Sequence, residues 1–151
     1  MKIVIDTREQ TPWSFPPELA ETTRGTLHEG DYALEGDEDF AIERKSLSDF
    51  LGTISTGWER FKRELARMDA KLYRTKVIIV EGDATSLFFG PNCEPPSHDH
   101  PQLTPQFIAK RIAQLTYDKR CTILVCGSAP IAAGIACQIF RRREKDLEND
   151  A

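Results

Sequence analysis

Asp31, Glu43 and Lys45 are the residues whose types and spacing can do chemistry. Residues two apart in a strand share a face, so Glu43 and Lys45 point together and Arg44 points away. If Asp31 lies beside Glu43, the two carboxylates need a cation between them, and Mg²⁺, or Mn²⁺ in its place, is the natural ion. A lysine next to that ion can position or deprotonate water, or neutralise charge on a phosphate. The three side chains therefore have what phosphodiester hydrolysis requires.

Two extended segments have to bring these residues together. Thr26 to Leu34 and Asp39 to Lys45 are both strand-like, and Glu35-Gly36-Asp37 between them is a good turn sequence. The sequence thus predicts a β-hairpin that places Asp31 next to Glu43. The spacing by itself is weak support for a catalytic site, because surface strands often carry Glu and Lys for solubility.

The rest of the chain alternates between helical and extended segments. Hydrophobic spacing predicts strands over Lys2 to Asp6 and Lys76 to Val80, and a buried strand over Thr122 to Val125. Caps and helical spacing predict a helix from Ser46 through Leu51, an amphipathic helix after Gly57, a helix capped by Thr104 and a final helix over Ala129 to Arg142. A surface loop is predicted over Thr11 to Pro17, and a second loop from Gly90 to Pro101. This order predicts an α/β fold with helices covering a mixed central sheet.

The composition excludes several classes of protein. The 151 residues are 40% hydrophobic, which suits one globular domain and not a disordered chain. No apolar run is long enough to span a bilayer, and no signal-peptide pattern precedes the first strand. We therefore expect an intracellular protein without membrane contact, cytoplasmic if the source is prokaryotic or viral. Cys93, Cys121, Cys126 and Cys137 lack the spacing of a zinc knuckle and are expected to be buried, reduced thiols.

The distribution of charge says more than the total. A net charge of −4 argues mildly against nucleic-acid binding, because Lys and Arg supply that affinity. However, acidic residues crowd the stretch from Glu29 to Glu43, and a basic stretch follows it: Arg60, Lys62, Arg63, Arg67, Lys71, Arg74 and Lys76. Arg60, Lys62 and Arg63 are candidate DNA contacts. The alternative is a solvated helix face that pairs with its own acidic residues.

Three short motifs occur in order at compact spacing: Ile5-Asp6-Thr7-Arg8-Glu9, Gly30-Asp31-Tyr32, and Glu43-Arg44-Lys45-Ser46-Leu47-Ser48-Asp49-Phe50. Together they resemble the nuclease domain of the XPF family, within the PD-(D/E)XK superfamily. The family signature is a Gly-Asp, then a Glu-Arg-Lys, then an Asp after three variable residues. This sequence matches it at Gly30, Asp31, Glu43, Arg44, Lys45 and Asp49. The resemblance covers nearly the whole chain.

The resemblance implies a restriction-endonuclease-like fold, with a nuclease domain over residues 1–145 and a short polar tail over residues 146–151. It implies a metal-dependent DNA endonuclease, structure-specific for flap, fork or branched DNA, that serves repair or recombination. A homodimer or heterodimer formed through the C-terminal helices is implied as well. Room for the helix-hairpin-helix and helicase regions of longer members is lacking, so we expect a stand-alone form.

The same resemblance assigns roles to individual residues. Asp31, Glu43 and the backbone carbonyl of Arg44 would hold the metal, and Lys45 would serve the attacking water. Further charged residues would complete the catalytic pocket: Asp6, Arg8 and Asp49, with Glu9 and Arg44 in support. Two alternatives remain open, namely a non-catalytic DNA-binding or scaffold domain of the same fold, and a restriction-like nuclease that acts on linear duplex DNA.

Several features have plainer interpretations that compete with a functional role. Asp6 can cap the turn after its strand, Arg8 can pair with Glu9 or Asp31, and Asp49 can be a solvated helix residue. Trp13 and Phe15 can pack on the sheet edge or stack on a base. Two remaining features favour the structural interpretation: His98-Asp99-His100 as a surface loop rather than a zinc site, and Arg141-Arg142-Arg143 as cations at a helix end.

Overall fold

The computed structural model describes residues 1–70, 76–90 and 102–151, which build a six-stranded sheet with helices on both faces. The strands are β1 (Lys2–Asp6), β2 (Glu21–Gly25), β3 (Tyr32–Leu34), β4 (Ile42–Ser46), β5 (Lys76–Glu81) and β6 (Cys121–Cys126). The helices are α1 (Leu47–Ile54), α2 (Trp58–Ala70), α3 (Ala84–Phe89), α4 (Pro105–Ala113) and α5 (Ala129–Asp150), and a π-helical turn, Gln114–Asp118, follows α4. The predicted α/β fold is confirmed.

The sheet is mixed, with the order β2-β1-β3-β4-β5-β6. Strand β1 pairs in parallel with β2 and antiparallel with β3, and β3 is antiparallel to β4. Strands β4, β5 and β6 are parallel to one another. The predicted catalytic strand β4 therefore lies in the interior of the sheet, where neighbours on both sides restrict its backbone.

The two faces of the sheet are covered by different helices. On one face α5 packs with Ile42 and Ile79, and on the other α1, α2 and α4 pack with Ile78 and Val80. Glu43 is opposite Ile78 in the β4–β5 register, and Lys45 is opposite Val80. The predicted alternation along β4 is thus confirmed, because Glu43 and Lys45 share the face covered by α1, α2 and α4.

The predicted hairpin is present, but its strands are shorter at their starts. Tyr32 pairs with Ile42, and at the turn the Asp37 N–H donates to the Leu34 carbonyl at 3.1 Å, with Gly36 at a φ of +81°. Residues 26–31, predicted as strand, leave the sheet, and residues 39–41 precede β4. The physical reason is tertiary, since the Leu27 N–H donates 2.9 Å to the Asp6 carboxylate instead of to a strand.

Strand β2 was missed by the sequence analysis. Its sequence, Glu-Thr-Thr-Arg-Gly, is polar and largely exposed because β2 is an edge strand that pairs only with β1. Strand β6 is the opposite edge, so the predicted buried strand is half-exposed: Thr122 is exposed and Ile123, Leu124 and Val125 are partly covered. Strand β2 contains no apolar residue, so hydrophobic patterning has nothing to detect there. Helix α3, capped by the Asp83 side chain, was also not predicted.

Helix α5 continues two turns past its predicted end at Arg142, through Asp150. The explanation of Arg141-Arg142-Arg143 as helix-end cations is therefore wrong. Arg143 instead forms an ion pair with Asp37 at 2.7 Å, which ties α5 to the β3–β4 turn. Helix α1 likewise runs to Ile54 rather than Leu51, and Ser46 caps it as predicted, because its side chain accepts from the Asp49 N–H.

Cys121, Cys126 and Cys137 are buried free thiols, as predicted. Burial raises the pKa of the Cys121 thiol to about 12. Cys93 and the His98-Asp99-His100 segment lie outside the described residues. In the part of the chain that the structure describes, no helix has the length and apolar character needed to cross a membrane.

Candidate active site

Asp31 forms hydrogen bonds with the two peptide groups that flank Glu43. Its N–H donates to the Ile42 carbonyl at 2.9 Å, and its Oδ2 accepts from the Arg44 N–H at 2.7 Å. Gly30 permits this close approach, since a Cβ there would lie 2.7 Å from the Ala41 Cβ and the residue has a φ of +73°. The Gly-Asp pair of the sequence motif therefore has a steric reason, and the carboxylates of Asp31 and Glu43 are neighbours.

Both carboxyl groups have a raised pKa. Burial and then the neighbouring Glu43 charge raise the pKa of Asp31 to about 7, against the Arg44 N–H, which lowers it. Burial also raises the pKa of Glu43, although Lys45 opposes the shift. Two partly desolvated like charges are unfavourable together, so a cation placed between them would relieve the repulsion.

Lys45 accompanies Glu43 on the same face of β4. Its Nζ lies 3.2 Å from Glu43 Oε1, and the Lys45 side chain is only 15% exposed. The ammonium is therefore held beside the carboxylate pair by a contact made within one strand, at the two-residue spacing that the sequence analysis identified. Asp31, Glu43 and Lys45 are brought together.

A cleft of about 350 Å³ opens next to the carboxylate pair, between α2 and the segment before Asp31. Its lining combines both signs of charge, from Arg8, Asp31, Glu43, Glu64, Arg67 and Lys76. Lys76 is buried at the start of β5, where it pairs with Asp69 and donates to the Lys119 carbonyl at 2.7 Å. Arg67 spans the cleft to Glu29 at 3.4 Å.

The oxygen atoms of Asp31 and Glu43 suit a hard divalent cation. Within residues 1–70, 76–90 and 102–151, no group of three or more His, Cys, Asp or Glu side chains is arranged to hold a metal. The Asp31 and Glu43 carboxylates, with the Arg44 carbonyl predicted from the sequence, would leave most coordination positions to water, which is the arrangement that Mg²⁺ prefers over a cage of protein ligands. The residues present therefore fit magnesium or manganese better than zinc.

Asp6 and Arg8 shape the segment that carries Asp31. The fully buried Asp6 carboxylate accepts from the Arg8 N–H at 2.9 Å, the Arg8 Nε at 2.7 Å and the Leu27 N–H at 2.9 Å. Burial alone would raise the pKa of Asp6, but these hydrogen bonds outweigh it and hold the pKa at about 2. The Asp6 N–H also donates to the Asp31 carbonyl at 2.9 Å. The turn-capping interpretation of Asp6 fits these contacts, and the partner of Arg8 is Asp6.

Asp49 is not brought to this cleft. It is exposed on the first turn of α1, where its N–H donates to Ser46 Oγ at 3.1 Å and its carbonyl accepts from Thr53 Oγ1 at 2.9 Å. Asp31 and Glu43 line the cleft, whereas Lys45 and Asp49 do not; Lys45 is joined to the pair by its contact with Glu43, and Asp49 makes no such contact among the described residues. A catalytic role for Asp49 stays a prediction, and the contacts observed are those of a solvated helix start.

The side chain of Arg44 lies on the face opposite Glu43, among acidic partners. Its Nε is 2.7 Å from Glu81 Oε1, and its Nη1 is 3.1 Å from Glu9 Oε2. Trp13, in the loop after β1, is buried and stacks on Tyr32 with ring centroids 4.4 Å apart, so packing is the correct alternative for this aromatic. The sequence analysis missed Glu81. The available signal was a charged residue that ends an otherwise buried strand.

The basic residues of α2 are divided between two sides of the helix. Arg60, Arg63 and Arg67 are spaced three and four residues apart and so share one side of the helix. Of the three, Arg67 lines the cleft, and Arg60 pairs with Glu64 at 3.8 Å. Lys62 is on the other side of the buried stripe, with its Nζ 3.0 Å from Glu59 and 6.0 Å from the Trp58 ring. The structure therefore separates Lys62 from the other two candidate DNA contacts.

Comparison with known proteins gives a family and a fold. Residues 5–139 match the ERCC4 domain. The fold is similar to XPF from Aeropyrum pernix, with a TM-score of 0.69 and 22% identity over 95% of this chain and 61% of that chain. It is also similar to XPF from Aeropyrum pernix in complex with DNA, with a TM-score of 0.68 and 23% identity over 97% of this chain and 66% of that chain. The chain thus spans less than two thirds of these relatives. No curated protein matches it.

Proposed function

The chain belongs to the ERCC4 domain family, and on that premise we propose that it is a metal-dependent DNA endonuclease that hydrolyses phosphodiester bonds at the Asp31–Glu43 pair. One observation carries the proposal. Asp31, with a pKa of about 7, adjoins Glu43, whose Oε1 lies 3.2 Å from the Lys45 ammonium. Two adjacent carboxylates whose ionisation is unfavourable, next to a lysine, are typical of an active site that binds a cation and hydrolyses a phosphate ester.

Each residue has a defined task in this reaction. Asp31, Glu43 and the Arg44 carbonyl would hold Mg²⁺ or Mn²⁺, which when bound polarises the phosphate and lowers the pKa of water. Lys45 places a positive charge, and a group able to exchange a proton, beside Glu43. The Arg44 N–H, at 2.7 Å from Asp31 Oδ2, keeps that carboxylate beside its partner.

The proposed substrate is DNA, preferably with a flap, fork or other branch, as in repair or recombination. One structural relative is described as XPF in complex with DNA. In this chain Arg8 and Arg67 border the cleft with side chains 74% and 58% exposed, and Arg60 and Arg63 continue the basic stripe on α2. This local basic surface offsets the net charge of −4 where a phosphate backbone would lie.

The proposal is tested by cleavage of labelled flap, fork, single-stranded and plain duplex DNA. We expect cutting with Mg²⁺ or Mn²⁺, complete loss of cutting in EDTA, recovery when the ion is restored, and faster cutting of branched than of plain duplex substrates. Equal cutting of linear duplex at a fixed sequence would favour the restriction-like alternative. Binding of DNA without cleavage by any ion would favour the scaffold domain.

Arg63 and Lys62 form a matched pair for testing the DNA contacts. We expect Arg63→Ala to weaken DNA binding in metal-free buffer and to reduce the slope of log K against log salt by about 1, because one phosphate contact is lost. Lys62→Ala should leave both quantities near the wild-type values, since Lys62 lies across the helix with Glu59. Fluorescence anisotropy over a salt series measures both. Wild-type affinity and salt dependence in Arg63→Ala would show that Arg63 does not contact DNA, and an equal loss in the two variants would show that the effect is not specific to the side of α2 that carries Arg63.

We also propose that the chain forms a dimer, through α5. An open apolar surface along α5 is formed by Pro130, Ile131, Gly134, Ile135 and Ile139, and Ile131 is 55% exposed. We expect Ile131→Asp to convert a dimer to a monomer in analytical ultracentrifugation, because a buried charge at the interface centre is costly. Tyr117→Asp is the control, since Tyr117 is 89% exposed on a different element. A wild-type protein that sediments as a monomer at high concentration would contradict this proposal.

A further inference from the structure

A polar network lies behind β4, on the face away from the carboxylate pair. Glu81, the last residue of β5, accepts from Arg44 Nε at 2.7 Å through Oε1 and from Arg44 Nη2 at 3.3 Å through Oε2. Its Oε1 also accepts from Trp13 Nε1 at 2.5 Å. The guanidinium lies 5.2 Å from the centre of the Trp13 ring. The Arg44 side chain thus forms a bidentate ion pair with Glu81 and lies against the Trp13 ring.

A second carboxylate completes the enclosure of the guanidinium. Arg44 Nη1 donates to Glu9 Oε2 at 3.1 Å and to the Thr11 carbonyl at 2.7 Å. The Tyr32 hydroxyl donates to the same Glu9 oxygen at 2.9 Å and accepts the Trp13 N–H at 2.9 Å. Every strong contact of this side chain therefore lies on the side of the sheet that does not face the cleft.

The backbone of Arg44 connects this network to the candidate metal site. Its N–H donates to Asp31 Oδ2 at 2.7 Å, and the preceding residue in β4 is Glu43. The side chain and the amide of Arg44 share one Cα, so a guanidinium held by five hydrogen bonds restricts rotation of the peptide that holds Asp31. Groups that orient ligands in this way typically change metal affinity or activity by about 10- to 100-fold when they are altered.

We propose that Glu81 is a positioning residue for the metal site, and that it acts through Arg44 to fix the relative placement of Asp31 and Glu43. The inference rests on the proposed function. The side chains of Arg44 and Glu81 are only 16% and 20% exposed. An ion pair in such a position gives little net stability compared with apolar residues of the same volume. The directional hydrogen bonds of this pair fix the geometry of β4, which apolar residues would not do.

The test measures binding of Mn²⁺ to the full chain by electron paramagnetic resonance of the free ion, without DNA and without turnover. We expect Glu81→Gln to weaken Mn²⁺ binding by about 10- to 100-fold. Trp13→Phe, which removes one N–H and keeps a ring, should weaken it less. In an Arg44→Lys background, which loses the two-pronged contact, Glu81→Gln should add less than twofold, because the route through Arg44 is already broken.

Phe140→Leu is the control for folding stability. Phe140, on α5, is fully buried against Phe40 and makes none of the network contacts, so this variant should lower the melting temperature and leave Mn²⁺ affinity unchanged. If Asp31→Asn loses Mn²⁺ while Glu81→Gln and Trp13→Phe bind it within twofold of wild type, the inference about Glu81 is overturned and the proposed metal site is not. If wild type and Asp31→Asn bind Mn²⁺ equally, the proposed metal site fails and the inference fails with it. If Glu81→Gln does not fold, Trp13→Phe and Arg44→Lys decide the same question.

Discussion

Asp31→Asn is expected to abolish DNA cleavage while making the metal-free protein more stable. Asparagine has the size of aspartate and can still accept the Arg44 N–H, which donates to Asp31 at 2.7 Å. The charge that would attract the cation is lost, so we expect the single-turnover rate to fall by at least about 10²- to 10³-fold, the loss typical of one preorganised electrostatic group. DNA binding should persist, because the basic residues bordering the cleft are unchanged.

The gain in stability follows from the raised pKa of Asp31. Burial and Glu43 raise this pKa to about 7, so ionisation of Asp31 destabilises the folded state above the pKa of the unfolded chain, about 4. The penalty is complete at pH 8 and vanishes as the pH falls through 7 toward about 4. In EDTA at pH 8 we therefore expect Asp31→Asn to raise the free energy of unfolding by about 1 kcal/mol, and at pH 4 or below to give no gain.

Urea unfolding in EDTA at the two pH values measures this effect, with Asp39→Asn as the control. Asp39 is exposed in the same hairpin, so its substitution should change neither stability nor cleavage. A variant Asp31→Asn that is less stable than wild type at pH 8 would mean that Asp31 serves the fold rather than a cation. Retained cleavage would remove Asp31 from the proposed mechanism.

Lys45→Ala is the second large expected loss, again of about 10²- to 10³-fold in the single-turnover rate. Lys45 Nζ is 3.2 Å from Glu43 Oε1, so its removal takes a positive charge away from the reacting phosphate without changing the metal ligands. Mn²⁺ and DNA affinities should stay within a few-fold of wild type. Lys62→Ala, which removes a lysine on the far side of α2, should cleave at the wild-type rate. A Lys45→Ala protein that loses DNA binding in parallel with cleavage would contradict this assignment.

Lys45→Arg separates the two tasks that a lysine can perform there. Arginine keeps the positive charge but does not give up its proton at any working pH. A rate near wild type in Lys45→Arg would assign Lys45 to charge neutralisation. A rate as low as in Lys45→Ala, with folding and Mn²⁺ binding retained, would assign it to proton transfer with water. Rapid-quench cleavage of the preferred substrate at saturating metal gives the comparison.

Local patterns in the sequence were sufficient to predict much of the local structure around the candidate site. The two-residue period along β4 predicted that Glu43 and Lys45 share a face, and the turn at Gly36 predicted the hairpin that brings Asp31 to Glu43. The capping residue Ser46 placed the start of α1 correctly. These features depend on residues within a few positions of one another, and steric and hydrogen-bonding preferences act strongly at that range.

Only the tertiary structure decided the features that depend on partners far along the chain. The polar strand β2 exists because β1 offers an unpaired edge, and residues 26–31 leave the sheet because Leu27 donates to Asp6. Glu81 belongs with Arg44, 37 positions earlier, because β4 and β5 are neighbours in parallel register. The sequence alone thus predicted that Asp31, Glu43 and Lys45 lie close together, as they do in the structure. The three-dimensional neighbours decided that Asp6 accepts from Leu27, that Asp49 faces solvent and that Glu81 pairs with Arg44, since burial and pairing between distant segments appear only once the chain is folded.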